Sequence, residues 1–238
     1  MKRYFVTGTD TDAGKTLVSA ALLLKAQQQG LTTFGLKPVA AGCETVATSH
    51  GPQWQNEDAQ LLRQYSSEQQ PYAIHNPVAL QAAIAPHIAA QQENRTLTCD
   101  ALITACQPAF ASSAQFQLVE GAGGWLVPLN TQETLADFAT AINAGVILVV
   151  GLRLGCINHA LLSASMIQHS GARLVGWVAN SLSDDMDAQA DNLAYLQHGF
   201  ARQGVPLLGH TPYVAAIDRS QPEQLQLVAD SLLLPDDE

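Results

Sequence analysis

Three observations predict an α/β fold with a parallel sheet covered by helices on both faces. Short apolar runs alternate with longer helical patterns along the chain, and repeated βα units of this kind build parallel sheets. Most of the runs are apolar along their whole length, as strands buried on both faces require. Each polar, glycine-rich cluster follows such a run, and sheets of this type bind ligands outside the carboxyl ends of their strands. Strands are expected at Lys2–Thr7, Thr32–Lys37, Gln115–Glu120, Val146–Gly151, Leu174–Ala179 and Val205–Leu208. Helices are expected near Thr16–Gln29, Asp58–Tyr65, Leu97–Ala111, Leu135–Asn143, Ile157–Ser170 and Asp187–Arg202.

The first strand leads into Gly8-Thr9-Asp10-Thr11-Asp12-Ala13-Gly14-Lys15-Thr16. A strand, a glycine-rich loop and a helix opening on Gly-Lys-Thr make a phosphate cradle, because loop N–H groups and the helix N-terminus point at the anion. Lys15 then reaches the outer phosphates and the Thr16 hydroxyl suits magnesium. Gly8 and Gly14 enclose five residues, one more than the usual phosphate-loop spacing. The helix that follows is stopped by Gly30. The second strand closes on Lys37, which would set a second cation beside a transferring phosphoryl group. Ala41 to Asn56, rich in Gly, Ser, Thr and Pro, is expected to be a mobile loop. Asp58 opens the next helix, where an acid is stabilising by itself or completes a metal site.

The third strand ends on Glu120, followed by Gly121-Ala122-Gly123-Gly124-Trp125. An acid at a rigid strand end is a hard oxygen ligand for magnesium, and the glycines let backbone approach a substrate closely. After the strand ending at Gly151, Gly155-Cys156-Ile157-Asn158-His159-Ala160 opens a helix whose free N–H groups suit a carboxylate. His159 and the other histidines are expected to be structural.

A chain of 238 residues suits one domain, taken here as residues 1–238. Hydrophobic residues at 47% allow a large core. The net charge is -10 and the eleven Lys and Arg are scattered singly, which argues against nucleic acid as a partner. Cys43, Cys99, Cys106 and Cys156 show no metal-ligand spacing and read as reduced thiols of a cytosolic protein. The first strand begins almost at once, so no signal peptide is expected. The run Val146–Val150 is too short to span a bilayer, and the acidic end Leu-Pro-Asp-Asp-Glu is a poor membrane anchor. The expected setting is cytoplasmic, away from membranes.

Together these motifs resemble dethiobiotin synthetase, a P-loop NTPase-like family. The resemblance rests on Thr7 to Thr16 with its five-residue gap, Lys37-Pro38-Val39-Ala40, Asn56-Glu57-Asp58-Ala59 and Val119 to Trp125. It extends to Gly155 through Ala160 and to Gly176-Trp177-Val178-Ala179-Asn180, in the family's order from Lys2 to about Pro212. It implies an ATP- and magnesium-dependent cyclo-ligase that makes dethiobiotin from 7,8-diaminononanoate and carbon dioxide. One amine forms a carbamate, ATP phosphorylates it, and the second amine closes the ureido ring. In that reading Thr16, Asp58 and Glu120 hold magnesium, and Lys15 and Lys37 clamp the phosphates, with Thr11 close to the reacting amine. Asp12, Ala13, Gly14, Leu17, Gly121, Ala122, Gly123, Ser181 and Tyr213 would join the nucleotide contacts, with Asn180 and Pro212 at the adenine. The substrate would meet Ala41, Gly123 and, at its carboxylate, Gly155, Cys156, Ile157 and Asn158. The family is a homodimer with substrate at the subunit interface.

Ala41 stands where the family commonly has Ser, and Asn192 where a tyrosine of the partner subunit often reaches the carboxylate. The chain also diverges past Pro212. Two rival readings follow: a paralogous ligase for another diamine, and a dimeric ATPase switch of the partition and division-site type. The switches carry an additional lysine early in the phosphate loop, where this chain has Asp10.

Overall fold

The computed structural model describes residues 2–49 and 51–236. Its elements, in chain order, are β1 (Lys2–Gly8), α1 (Lys15–Gln28), β2 (Thr33–Leu36), β3 (Val39–Ala40), β4 (Glu44–Thr48), β5 (Gly51–Gln55) and α2 (Glu57–Gln64). Next come α3 (Tyr72–His75), β6 (Val78–Ala79), α4 (Pro86–Gln92), α5 (Cys99–Phe110), β7 (Phe116–Glu120) and α6 (Leu135–Ala141). The chain ends with β8 (Gly145–Leu152), α7 (Cys156–His169), β9 (Leu174–Ser181), α8 (Gln189–Ala201), β10 (Leu207–Thr211) and α9 (Pro222–Asp230).

Six strands form one sheet in the order β10-β9-β8-β1-β7-β2, and every pairing in it is parallel. The apolar runs explain this layering. In β1, Tyr4 and Val6 face one core while Phe5 faces the other. In β8, Ile147 and Val149 join the first core, and Val146, Leu148 and Val150 join the second. Helices α1, α2 and α9 contribute Leu22, Leu62 and Leu225 to the first layer. The second layer holds α4 to α8, including Phe138, Ala160 and Phe200. Both faces of each central strand are thus removed from water, the dominant stabilising term of such a fold. With strands parallel, Gly8, Glu120 and the residues following β2 all emerge at one edge.

Several expectations need correction. Ala41 to Asn56 is largely not a loop: β4 and β5 pair antiparallel, Glu44 opposite Gln55 and Thr48 opposite Gly51, with His50 outside the described residues. The strand expected at Val205–Leu208 lies at Leu207–Thr211, with a register shift between Leu207 and Gly209. The short β3–β6 pair and helices α3, α4 and α9 were not expected from the sequence. All four cysteines are free and buried. Among the described residues no helix is long and apolar enough to cross a membrane; Asp237 and Glu238 of the acidic end lie outside them.

Candidate functional site

Helix α1 starts at the phosphate loop, with Gly14 at its N-cap and φ of 94°. Only glycine suits this position twice over: the backbone is left-handed, and an added Cβ would collide with the Asn180 side chain. Asn180 Nδ2 donates to the Ala13 carbonyl at 3.0 Å. The first intrahelical bond runs from Val18 N to Gly14 O at 3.0 Å, leaving the N–H groups of Lys15, Thr16 and Leu17 without helical acceptors. Lys15 Nζ donates to the Asp10 carbonyl at 3.1 Å. Asp10 itself pairs with Arg153, from the loop after β8.

Lys37, Asp58 and Glu120 come together from three elements. In the β2–β7 register Leu36 lies opposite Val119, so Lys37 and Glu120 are neighbours at the next step. Lys37 Nζ lies 2.6 Å from Glu120 Oε1 and 3.1 Å from Asp58 Oδ2, and it also donates to the Gly121 carbonyl at 3.1 Å. Asp58 reaches this point from the first turn of α2, which Asn56 caps by accepting from the N–H groups of Asp58 and Ala59. Thr16 Oγ1 donates to Glu120 Oε1 at 2.9 Å. Burial pushes the Lys37 pKa down, but the charges of Glu120 and Asp58 outweigh it and hold the ammonium above its ordinary range. Burial likewise pushes Asp58 up, and Lys37 with the Thr16 hydroxyl overcomes that and lowers it. Lys15 moves the other way: burial lowers it and the nearby Lys37 charge adds to the effect, against Glu120 and Asp58.

Glu120 is fully buried, and its Oε2 has no hydrogen-bond partner. An orphaned buried carboxylate oxygen is costly unless something occupies it. Thr16, Asp58 and Glu120 offer the all-oxygen donor set of a hard divalent cation such as magnesium, which binds few protein ligands and keeps sites for phosphate and water. Among the described residues there is no group of three or more His, Cys, Asp and Glu that could hold a metal ion, so the site would need the Thr16 hydroxyl beside its two carboxylates. The oxygen donors and the unpartnered Glu120 Oε2 fit magnesium.

These groups line a cavity of about 810 Å³. It gathers the predicted Thr11, Asp12, Gly14, Lys15, Thr16, Leu17, Lys37, Ala41, Asp58, Ala122 and Gly123. Ala13, Glu120, Gly121 and Asn180 do not line it; Glu120 is buried and bonds the lining Lys37 and Thr16, while Asn180 holds the Ala13 carbonyl. Opposite the charged pole lies an apolar wall of Ala83 to Pro86 and Leu126 to Pro128, which sequence reasoning missed because nothing local marks it. Arg219, after β10, also reaches the rim and pairs with Glu57 at 2.5 Å. Gly155, Cys156, Ile157 and Asn158 do not line this cavity, and Cys156 is buried in the core. Ser181, Pro212 and Tyr213 also lie outside it. Ser181 Oγ instead pairs with His210 Nε2 at 2.8 Å. Of the histidines, His75 is structural as expected: it stacks on Phe34 at 4.3 Å, and its Nδ1 meets the Gly35 carbonyl.

A phosphate loop between β1 and α1, with a buried lysine and an acid at adjacent strand ends and a second acid from a helix start, defines a P-loop nucleotide-dependent enzyme. The sequence matches the family model described as an AAA domain over residues 2–221. It is 53% identical over 211 residues to an ATP-dependent dethiobiotin synthetase of Cellvibrio japonicus, covering 89% of each chain. It is 47% identical over 245 residues to the enzyme of the same name from Chromohalobacter salexigens, covering 100% of each. The chain belongs to the ATP-dependent dethiobiotin synthetases, a family of ligases. Among solved structures, the septum site-determining protein MinD of Pyrococcus horikoshii aligns with a TM-score of 0.54 at 15% identity, covering 95% of this chain and 86% of that one. The cell division ATPase MinD of Pyrococcus furiosus aligns with a TM-score of 0.54 at 16% identity, covering 97% and 98%. Both likenesses concern the fold.

Proposed function

We propose that this chain, as a single ligase domain, closes the ureido ring of dethiobiotin from 7,8-diaminononanoate and carbon dioxide, with cleavage of ATP to ADP and phosphate. The observation that carries the reading is the meeting of Lys37, Asp58 and Thr16, which line the phosphate-loop cavity, with the buried Glu120. One amine adds to carbon dioxide and loses a proton, giving a carbamate. A carbamate oxygen then takes the terminal phosphoryl group as ADP leaves, and the second amine attacks the carbonyl carbon, closing the ring as phosphate departs.

The residues divide this work. Lys15 and the N–H groups at the start of α1 hold the phosphates, and Lys37, kept protonated by its two acids, stabilises charge on the moving phosphoryl group. Thr16, Asp58 and Glu120 would hold magnesium, which neutralises phosphate charge when bound. Thr11 on the cavity wall would lie beside the reacting amine, and the apolar wall suits the aliphatic body of the substrate. Asn180 and Pro212 are assigned to the adenine end, and Ser181 and Tyr213 to the nucleotide. A homodimer with substrate at its interface is supported by Gly155 to Asn158 lying outside the one-chain cavity. The neighbouring Leu154, Leu162 and Tyr195 are exposed at 95%, 59% and 58%, an apolar surface of the kind that marks an interface. The reduced state of the cysteines supports a cytoplasmic setting.

Incubation with 7,8-diaminononanoate, bicarbonate and magnesium-ATP, followed by assay of dethiobiotin, tests the reading. ATP-dependent dethiobiotin formation is expected. Its absence, with turnover of a different diamine, would replace the reading with a paralogous ligase, which Ala41 in the cavity wall favours as the alternative.

A further inference from the structure

The charged tips of Lys37 and Asp58 meet directly, but their backbones are also tied by a second, hidden path. Asn76 Nδ2 donates to the Lys37 carbonyl at 2.7 Å. Asn76 Oδ1 accepts from the Tyr72 hydroxyl at 2.9 Å. That hydroxyl in turn accepts from the Asn56 N–H at 2.8 Å. Asn56 Oδ1 caps α2 by accepting from the Asp58 N–H at 3.1 Å, and Asp58 Oδ2 returns to Lys37 Nζ at 3.1 Å. The bonds form a closed ring through strand end, α3 and α2.

The polarity of the ring is determined. Asn76 Nδ2 faces two carbonyls, those of Lys37 and Val78, so the amide oxygen must face Tyr72. The Tyr72 hydroxyl accepts from a backbone N–H and is left to donate to that oxygen. A phenol does both at once, and phenylalanine does neither. Burial pushes the Tyr72 pKa well above its ordinary value, so the donated proton stays in place. The Lys37 N–H is held separately by the His75 carbonyl at 2.7 Å, which leaves the ring as the clamp on its carbonyl side.

We propose that Tyr72, acting through Asn76 and Asn56, is a positioning residue that sets where Lys37 and Asp58 stand relative to each other. The inference rests on the role given to those two residues under the proposed function. Misplacement of reacting groups by about 1 Å lowers rates by about 100-fold, and the ring spans the two elements whose relative shift would cause it.

The test compares Tyr72→Phe with Ser112→Ala. Ser112 also donates and accepts, to Glu68 Oε2 at 2.8 Å and from Ala114 N at 3.1 Å, but before β7, at the amino-terminal end of the strands. Melting temperature, kcat, KM for ATP and the magnesium concentration half-saturating the binding of a fluorescent ATP analogue are measured for both. For Tyr72→Phe, kcat should fall about ten- to a hundredfold with KM for ATP within about twofold. Its half-saturating magnesium should rise severalfold, while Ser112→Ala loses a similar amount of melting temperature and neither kcat nor magnesium response. Asn76→Asp, which lacks the donor to Lys37, should repeat the pattern, and the double variant should be no worse than either single one. A Tyr72→Phe protein with kcat within about twofold of the parent and unchanged magnesium response overturns the proposal, as does an equal change in Ser112→Ala. If the parent forms no dethiobiotin, the functional reading fails on its own, and the ring stands or falls on the magnesium response of nucleotide binding.

Discussion

Lys15 and Lys37 line the same cavity with their pKa values moved in opposite directions. Lys15 has a single backbone acceptor, the Asp10 carbonyl, and burial lowers its pKa. Lys37 is held by two carboxylates and a carbonyl, and its pKa is raised. The phosphate-loop lysine is thus incompletely satisfied, so an incoming phosphate relieves it. The strand-end lysine is already neutralised and belongs to the scaffold as much as to the reaction. Two lysines that look alike in sequence therefore divide into one that waits for its anion and one that organises the acids around it.

The comparison breaks most readily at Lys37. Lys37→Ala leaves Glu120 and Asp58 facing each other in a buried site, and loss of one partner of a buried pair costs about 3–5 kcal/mol. Denaturant unfolding should show this together with a fall in kcat of two or more orders of magnitude, roughly the effect of removing a preorganised charge stabiliser. Stability close to that of the parent would mean that Lys37 is no scaffold group. Lys15→Ala should lower kcat by about two orders of magnitude yet leave unfolding free energy nearly unchanged. Turnover within about threefold of the parent removes it from the phosphate contacts.

Two smaller effects sharpen the picture. Asp58→Asn keeps the helix cap but removes one negative ligand, so half-maximal rate should need severalfold more magnesium. An unchanged magnesium titration returns Asp58 to a helix-start acid. Ala41→Ser adds a hydroxyl to the cavity wall, a contact worth about 0.5–1.5 kcal/mol when well placed, or about two- to tenfold in kcat/KM for the diamine. If only the Ser variant makes dethiobiotin, the natural substrate is a different diamine.

What the sequence made legible was local. Lys37 and Glu120 each follow an apolar run directly, so the strand that positions them also announces them, and Lys15 is announced by the glycine-rich loop before it. Asp58 was legible as an acid opening a helix, whereas the Asn56 cap two residues earlier is shown by the structure. The hairpin was hidden because Glu44–Thr48 and Gly51–Gln55 stand off the core: most of their side chains are exposed, so no apolar alternation marks them. Strand β10 was misplaced because it is an edge strand continuing through Gly209, His210 and Thr211, whose pairing to β9 does not depend on apolar character. Tyr72, Asn76 and Arg219 act across the fold on partners their own neighbours do not reveal. The same holds for Gly155 to Asn158: the helix start was found, but its distance from the cavity is a tertiary fact.

The contact between Asn180 and the phosphate loop bears on how the molecule comes apart. Thr211 Oγ1 donates to Asn180 Oδ1 at 2.5 Å while Asn180 Nδ2 holds Ala13, so the loop is tied through one side chain to strands β9 and β10. Local opening usually follows contiguous cooperative units, and here the loop and that sheet border form one. Fraying of that border would loosen the loop. Nucleotide bound at the loop would in turn slow amide exchange in β10.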